Sequence, residues 1–147
     1  MNAAKTNQKG FSIIEVVLVL AIAGLIFLMV FVALPALQRN QRDQARRSDV
    51  GIVGSAVSSY ASNNRGKLPT NVTDLRKYVK DLSQYDADSD LVLRTGTAGT
   101  PDEDEILVNI GAKCADDSSS APVAGTSRSA TVRVVLEGTD LPFCQNV

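Results

Sequence analysis

The sequence predicts an α+β fold in which a long N-terminal helix packs on a small antiparallel β-sheet head. Three observations predict this fold. An apolar run occupies residues 11–37 with a single charged side chain, Glu15. A polar segment rich in helix formers follows it. Short runs of alternating or β-branched residues, separated by turn-forming residues, occupy the C-terminal half.

The apolar run is long enough to cross a bilayer. Its 27 residues would extend roughly 40 Å as a helix, whereas a hydrocarbon core is about 30 Å thick. A carboxylate within such a segment costs on the order of 2.5–3.5 kcal/mol on insertion scales, so it should pair with a cation or serve a function. Residues 11–37 are therefore predicted to form a transmembrane helix with a functional acid at Glu15.

A short basic segment without acidic residues, 1–10, precedes the apolar run. Cleavage after Gly10 would create an α-amino group on Phe11, and an i to i+4 helical spacing would place this amine beside Glu15. An ordinary secretory signal has its cleavage site after its apolar core, whereas here the candidate site comes first. The apolar helix would therefore remain on the mature protein.

Gly10, Phe11 and Glu15 resemble the N-terminal pattern of the prepilins of type IV pili and of the pseudopilins of type II secretion and competence systems. That pattern is a basic leader ending in glycine, then an aromatic residue, then an apolar run with glutamate fifth after the cut. One departure is Val32, which stands where many type IVa pilins have proline, while the nearby proline here is Pro35.

The resemblance implies a pilin-like fold and a structural role. It implies that a membrane prepilin peptidase cleaves after Gly10 and methylates the amine of Phe11. It also implies that Glu15 guides the subunit into a homo-oligomeric helical filament, built at an inner-membrane assembly platform. The protein would be a single-pass plasma-membrane protein with its leader cytoplasmic and its head external, and later part of a surface filament.

Four domains are expected, namely a cleaved leader at 1–10, a transmembrane and filament-core helix at 11–37, an amphipathic continuation at 38–64 and a globular head at 65–147. In the continuation, Val50, Val53 and Val57 recur at helical spacing and predict a face that packs on the head. Residues 63–66 are predicted to end the helix.

Four arginines follow the apolar run, and they oppose a simple positive-inside orientation. They would either meet acids on neighbouring subunits in a filament or form a solvated helix face. These residues are Arg39, Arg42, Arg46 and Arg47.

The head is predicted to contain one short helix and three or four strands. Thr73 or Asp74 is expected to cap the helix, which would continue to Leu82. The strands are expected at 91–95, 105–113 and 130–137, in an antiparallel sheet.

Cys114 and Cys144 are expected to form a disulfide in an external head, with two reduced thiols as the alternative. In the chain-entropy model, closing a loop of this size contributes about 3.6 kcal/mol.

Composition argues against an enzyme and against cofactors. Histidine, the phosphate-binding P-loop and the dinucleotide-binding glycine pattern are all absent. Two of the 15 basic residues lie in the leader, so 13 basic and 16 acidic residues remain after cleavage, and bulk charge predicts no nucleic-acid binding.

The segment with Asp86, Asp88 and Asp90 begins like a calcium loop, but Leu91 and Thr97 replace the glycine and glutamate that such a loop needs. These aspartates are weak metal candidates, alone or with acids at 102–105, and the alternative is a solvated acidic loop.

Three functions fit these observations. The first is a pilin, the structural subunit of a type IV pilus-like filament. The second is a pseudopilin of a type II secretion or DNA-uptake system. The third is a monomeric membrane-anchored binding module, which would retain an intact bond between residues 9 and 10.

Overall fold

The computed structural model describes residues 10–116, 121–139 and 141–147. The leader apart from Gly10 lies outside these ranges. The chain divides into two compact units that meet in sequence between Gln38 and Arg39. The elements, in chain order, are α1 (Ile13–Asn63), α2 (Val72–Arg76), β1 (Leu91–Thr95), β2 (Ile106–Ile110), β3 (Ala112–Cys114), β4 (Pro122–Ala124), β5 (Ala130–Val134) and β6 (Phe143–Asn146).

The first unit contains the apolar part of α1. Among the described residues, α1 is the one helix long and apolar enough to cross a membrane, and none of its most apolar window is buried. Pro35 lies within the helix. Because proline removes one backbone donor and crowds the preceding turn, the helix is locally weakened there.

The second unit is built around the C-terminal part of α1. Val50, Val53 and Val57 are completely buried, as their helical spacing predicts. They pack in one core with apolar side chains of the sheet, including Ile106 and Val132. Burying a side chain of this kind contributes about 1.5–3 kcal/mol, so this face of α1 is a main source of the head's stability.

Four strands form the main sheet in the order β1-β2-β5-β6. The pair β2·β5 is antiparallel, as predicted, and the α+β fold is confirmed. The pair β5·β6 is also antiparallel, although β6 itself was not predicted. The pair β1·β2 is parallel, so the sheet is mixed. The connection at 96–105 brings the chain back to the level of the first residue of β1, so that β2 runs in the same direction as β1. Asn109 Nδ2 donates hydrogen bonds to the carbonyl oxygens of Gly96 and Ala98, both at 2.9 Å, and holds this connection against the sheet.

The strand predicted at 105–113 is divided in two. Gly111 has φ of 79°, a left-handed conformation that favours glycine, and it separates β2 from β3. β3 then pairs with β4 in a separate two-stranded sheet. β5 ends at Val134, three residues earlier than predicted, where its ladder with β6 ends at the pair Val134–Phe143. The next carbonyl, that of Val135, accepts a hydrogen bond from Arg46 of α1.

The short helix α2 is also smaller than predicted. It ends at Arg76, and its N-cap is Asn71, whose side-chain oxygen accepts a hydrogen bond from the Thr73 backbone N–H at 3.0 Å. The predicted caps, Thr73 and Asp74, lie inside the first turn. An asparagine at this position satisfies an N–H group that would otherwise have no partner in the helix.

Candidate processing and assembly site

Glu15 lies in the first turn of α1. The carbonyl oxygen of Ser12 accepts hydrogen bonds from the backbone N–H groups of Glu15 at 3.1 Å and Val16 at 3.3 Å. This arrangement begins the helix at Ile13 and leaves the Glu15 side chain exposed. Glu15 is the acidic residue of the first helical turn, a position where acidic side chains are favoured by the helix dipole.

Phe11 and Gly10 precede the helix. Phe11 is 85% exposed, and among the described residues nothing lies within 4 Å of a methyl group placed on Gly10. Because α1 begins at Ile13, Phe11 lies outside the helix, and Phe11 and Glu15 do not have the i to i+4 helical spacing that the sequence predicted. Both side chains nevertheless line one shallow groove, together with Val16, Val19 and Leu20.

The apolar side chains of residues 11–37 are exposed around the whole circumference of the helix. The least exposed large ones, Val16 and Val30, are still 47% accessible. Soluble monomers rarely expose contiguous apolar patches larger than a few hundred Å², and larger ones mark contacts with membranes or proteins. A segment of this length and composition therefore requires a lipid or protein environment.

In the second unit, three of the four arginines are engaged within the chain. Arg42 donates two hydrogen bonds to the Glu137 carboxylate, at 2.7 and 2.6 Å. Arg46 donates to the Val135 carbonyl at 2.8 Å. Arg47 lies over the ring of Phe143, with its guanidinium carbon 5.4 Å from the centroid.

These intramolecular contacts were not among the interpretations drawn from the sequence, although Arg39, Arg42 and Arg47 are exposed as on a solvated face. For Arg42, Arg46 and Arg47, the described partners belong to the head of the same chain. Arg39 is exposed and has no such contact among the described residues. The hydrogen bonds from Arg42 lower the pKa of Glu137 below its ordinary value and raise the pKa of Arg42.

Two buried aspartates of α1 were not singled out by the sequence. The Asp43 carboxylate accepts hydrogen bonds from the backbone N–H groups of Glu137 at 2.8 Å and Gly138 at 3.1 Å. Asp49, which is completely buried, accepts bonds from the N–H groups of Ser83 and Gln84.

Each aspartate thus anchors one head loop to the helix. A sequence signal for Asp49 exists, because it is in phase with Val53 and Val57 on the buried face of the helix.

The acidic loop organises its own backbone. The Asp86 carboxylate accepts a hydrogen bond from the Asp88 N–H at 2.7 Å, and the Asp90 carboxylate accepts one from the Asp86 N–H at 2.8 Å. The second bond, with a further one from Ser89, lowers the pKa of Asp90. Within the described ranges, no group of three or more residues is arranged to hold a metal ion.

A disulfide joins Cys114 of β3 to Cys144 of β6, with the two Cα atoms 5.9 Å apart. Beside it, the Cys114 N–H donates to the side-chain oxygen of Asn146 at 2.8 Å. The covalent bond and the hydrogen bond fasten the β3–β4 hairpin to β6 of the main sheet.

Comparison with known families identifies the N-terminal segment. Residues 5–31 match the family described as the prokaryotic N-terminal methylation motif, and the match includes Gly10, Phe11 and Glu15. No curated protein and no solved structure matches the chain. The motif implies processing by a prepilin peptidase and assembly into pilus-like filaments, and it points to a structural subunit. The motif and the apolar helix fit a membrane-anchored protein that is later surface-exposed. The chain therefore carries the class III signal peptide motif of type IV pilins and pseudopilins on a pilin-like α+β fold.

Proposed function

We propose that the chain is the structural subunit, a pilin, of a type IV pilus-like filament. The leader at 1–10 is removed after Gly10, and the new amine of Phe11 is methylated. Residues 11–37 then form the filament core, residues 38–64 connect the core to the head, and the head at 65–147 forms the outer shell. One observation carries this proposal, namely a methylation motif at the start of a segment, residues 11–37, whose large apolar side chains are all exposed.

The exposed apolar surface of residues 11–37 is suited to both the lipid bilayer and the filament core, because the two environments are similarly apolar. Before assembly, lipid covers residues 11–37. After assembly, the same surface packs against helices of other subunits. Lipid chains are as apolar as the side chains of this segment, so the transfer itself provides little net hydrophobic free energy. Polar contacts must therefore contribute to the stability and the register of the filament.

Glu15 is the residue that we assign to this polar contact. Its carboxylate pairs with the methylated Phe11 amine of a neighbouring subunit. Such a pair replaces an isolated carboxylate in an apolar environment, and removing one partner of a buried pair costs about 3–5 kcal/mol. Glu15 and Phe11 line one groove in the uncleaved chain, which supports their proximity at the helix start.

Topology follows from the processing step. The leader lies in the cytoplasm, where the peptidase and the inner-membrane assembly platform act, and the head lies outside. The arginines that follow the apolar run oppose this orientation by charge alone, and the processing motif, which requires a cytoplasmic leader, is what supports it.

The proposal is tested by Glu15→Gln and Glu15→Ala in cells that have the peptidase and the assembly platform. Both variants should enter the membrane and lose the leader normally. Assembly should fall by about a hundredfold or more per subunit contact, from a loss of roughly 3 kcal/mol. Asp81→Ala, which removes an exposed head carboxylate, is the matched control and should assemble normally.

Normal yield of sheared filaments from Glu15→Gln would refute the pairing. Electron microscopy of the wild-type chain separates the pilin proposal from the pseudopilin alternative, because a pilin gives long surface fibres and a pseudopilin gives short envelope-spanning rods. A monomeric membrane protein that retains residues 1–10 would refute both.

A further inference from the structure

The face of the main sheet opposite the valine core carries a polar row whose central residues are buried. By strand register, Arg94 is paired with Asn109, Asn109 with Thr131, and Thr131 with Asn146, so one polar row crosses all four strands. Arg133 lies two residues beyond Thr131 on the same face. Asn109 and Thr131 are completely buried, and Arg133 is 2% exposed.

Two segments cover this polar face. On one side, the connection at 96–100 is held by Asn109 and by Arg133, whose Nη1 atom donates to the Gly99 carbonyl at 2.9 Å. On the other side, the β3–β4 hairpin is held by the bond from the Cys114 N–H to Asn146 and by the disulfide. Thr131 lies between these two attachments.

Three atoms on this face are inaccessible to solvent and have no hydrogen-bond partner among the described residues. They are Asn109 Oδ1, Thr131 Oγ1 and Arg133 Nε. Directly paired residues in an antiparallel sheet have Cβ atoms about 4.5–5.5 Å apart, so the side chains of Asn109 and Thr131 are neighbours. Buried polar atoms in native proteins almost always have a partner, so each of these three atoms should have one.

The chemistry of the three atoms restricts this partner. Asn109 Nδ2 already donates to two carbonyl oxygens, which fixes the amide orientation and leaves Oδ1 as an acceptor. Arg133 Nε can only donate, whereas the Thr131 hydroxyl can do either. A partner that serves all three must both donate and accept. An anion without a proton, such as chloride, cannot donate to Asn109, and a cation would be repelled by Arg133.

We infer that a bound water molecule joins Asn109, Thr131 and Arg133 on the outer face of the sheet. The water donates a hydrogen bond to Asn109 Oδ1 and accepts one from Arg133 Nε. Its third hydrogen bond is with the Thr131 hydroxyl, which can be either donor or acceptor. Buried waters typically make about three such bonds. This water connects β2 to β5 directly beneath the 96–100 connection.

The inference is tested by whether Thr131→Val makes the protein less stable or more stable. Thr131→Val keeps the shape and β-branching of the side chain and removes only the hydroxyl. If the hydroxyl binds the water, the variant loses a hydrogen bond, and the unfolding equilibrium constant should rise about fivefold. If the hydroxyl is buried in a dry site, its removal should leave the protein equally stable or more stable.

The experiment uses the full chain in detergent micelles, with denaturant unfolding followed by tyrosine fluorescence. All three tyrosines, Tyr60, Tyr78 and Tyr85, belong to the second unit and report on it. Thr95→Val, at an exposed position of β1, is the control for the Thr-to-Val change itself. A Thr131→Val protein as stable as this control, or more stable, overturns the inference.

A second measurement does not depend on the folding of a variant. Oxygen-17 magnetic relaxation dispersion of the wild-type chain should detect at least one internal water that resides far longer than surface water. A wild-type chain without such a water overturns the inference. If chloride at constant ionic strength raises the free energy of unfolding, the site binds an anion, and the inference of a bound water is overturned.

Discussion

Asp49→Ala should be among the most destabilising substitutions in the head. Asp49 is completely buried in α1, and its carboxylate accepts hydrogen bonds from two backbone N–H groups. The Ser83 N–H lies 2.8 and 3.0 Å from the two carboxylate oxygens, and the Gln84 N–H lies 2.7 Å from one of them. Alanine removes both acceptors without replacing them.

The magnitude follows from these two donors. A hydrogen bond to a charged group contributes about 1.5–3 kcal/mol, so losing both should cost about 3–6 kcal/mol. Because small domains are stable by about 5–15 kcal/mol, this loss is a large fraction of the total. Asp49→Asn should cost less, since its remaining oxygen accepts one bond while its amide nitrogen faces the other donor.

Equilibrium denaturation of the full chain in detergent micelles, followed by tyrosine fluorescence, measures this effect. Asp81→Ala is the matched control, because Asp81 is exposed and such surface changes usually stay within about 0.5 kcal/mol. If Asp49→Ala lies within about 1 kcal/mol of Asp81→Ala, then Asp49 does not anchor the 83–84 loop and the reasoning fails.

Two further predictions concern the attachment of the C-terminal segments. Arg42 lowers the pKa of Glu137 below its ordinary value of 4.5, so the pair stabilises the fold fully at pH values above 4.5. The stability difference between wild type and Glu137→Gln should therefore be largest near neutral pH and shrink as acidification passes the lowered pKa. A pH-independent difference would contradict the assignment. Replacing Cys114 and Cys144 by serine should cost about 3.6 kcal/mol in unfolding free energy, whereas no loss would show that the closed loop does not constrain the unfolded chain.

Elements with a local signal were predictable from the sequence. The helical spacing of Val50, Val53 and Val57 identified the buried face of α1, and the β-branched run at 91–95 identified β1 with both of its ends. The processing motif is equally local, because Gly10, Phe11 and Glu15 lie within six consecutive residues. A pattern carried by neighbouring residues needs no knowledge of the tertiary structure.

Features that depend on distant contacts were not predictable. The connection at 96–100, which precedes the parallel pairing of β2 with β1, is held by Asn109 and Arg133, and neither side chain has a local pattern that indicates this role. Arg42 and Glu137 are 95 residues apart, so their pairing could not be read from either segment. The aspartates of α1 likewise acquire their roles from loops far along the chain.

Mass spectrometry of the N-terminus, on subunits sheared from cells as polymer, tests the central claim most directly. The proposed function requires a positive amine on Phe11, which exists only after cleavage, to neutralise Glu15 of an adjacent subunit. The account predicts a mature chain that begins at methylated Phe11 and is recovered in filaments. A chain isolated only with Met1 at its N-terminus, and never in a fibre, would contradict it.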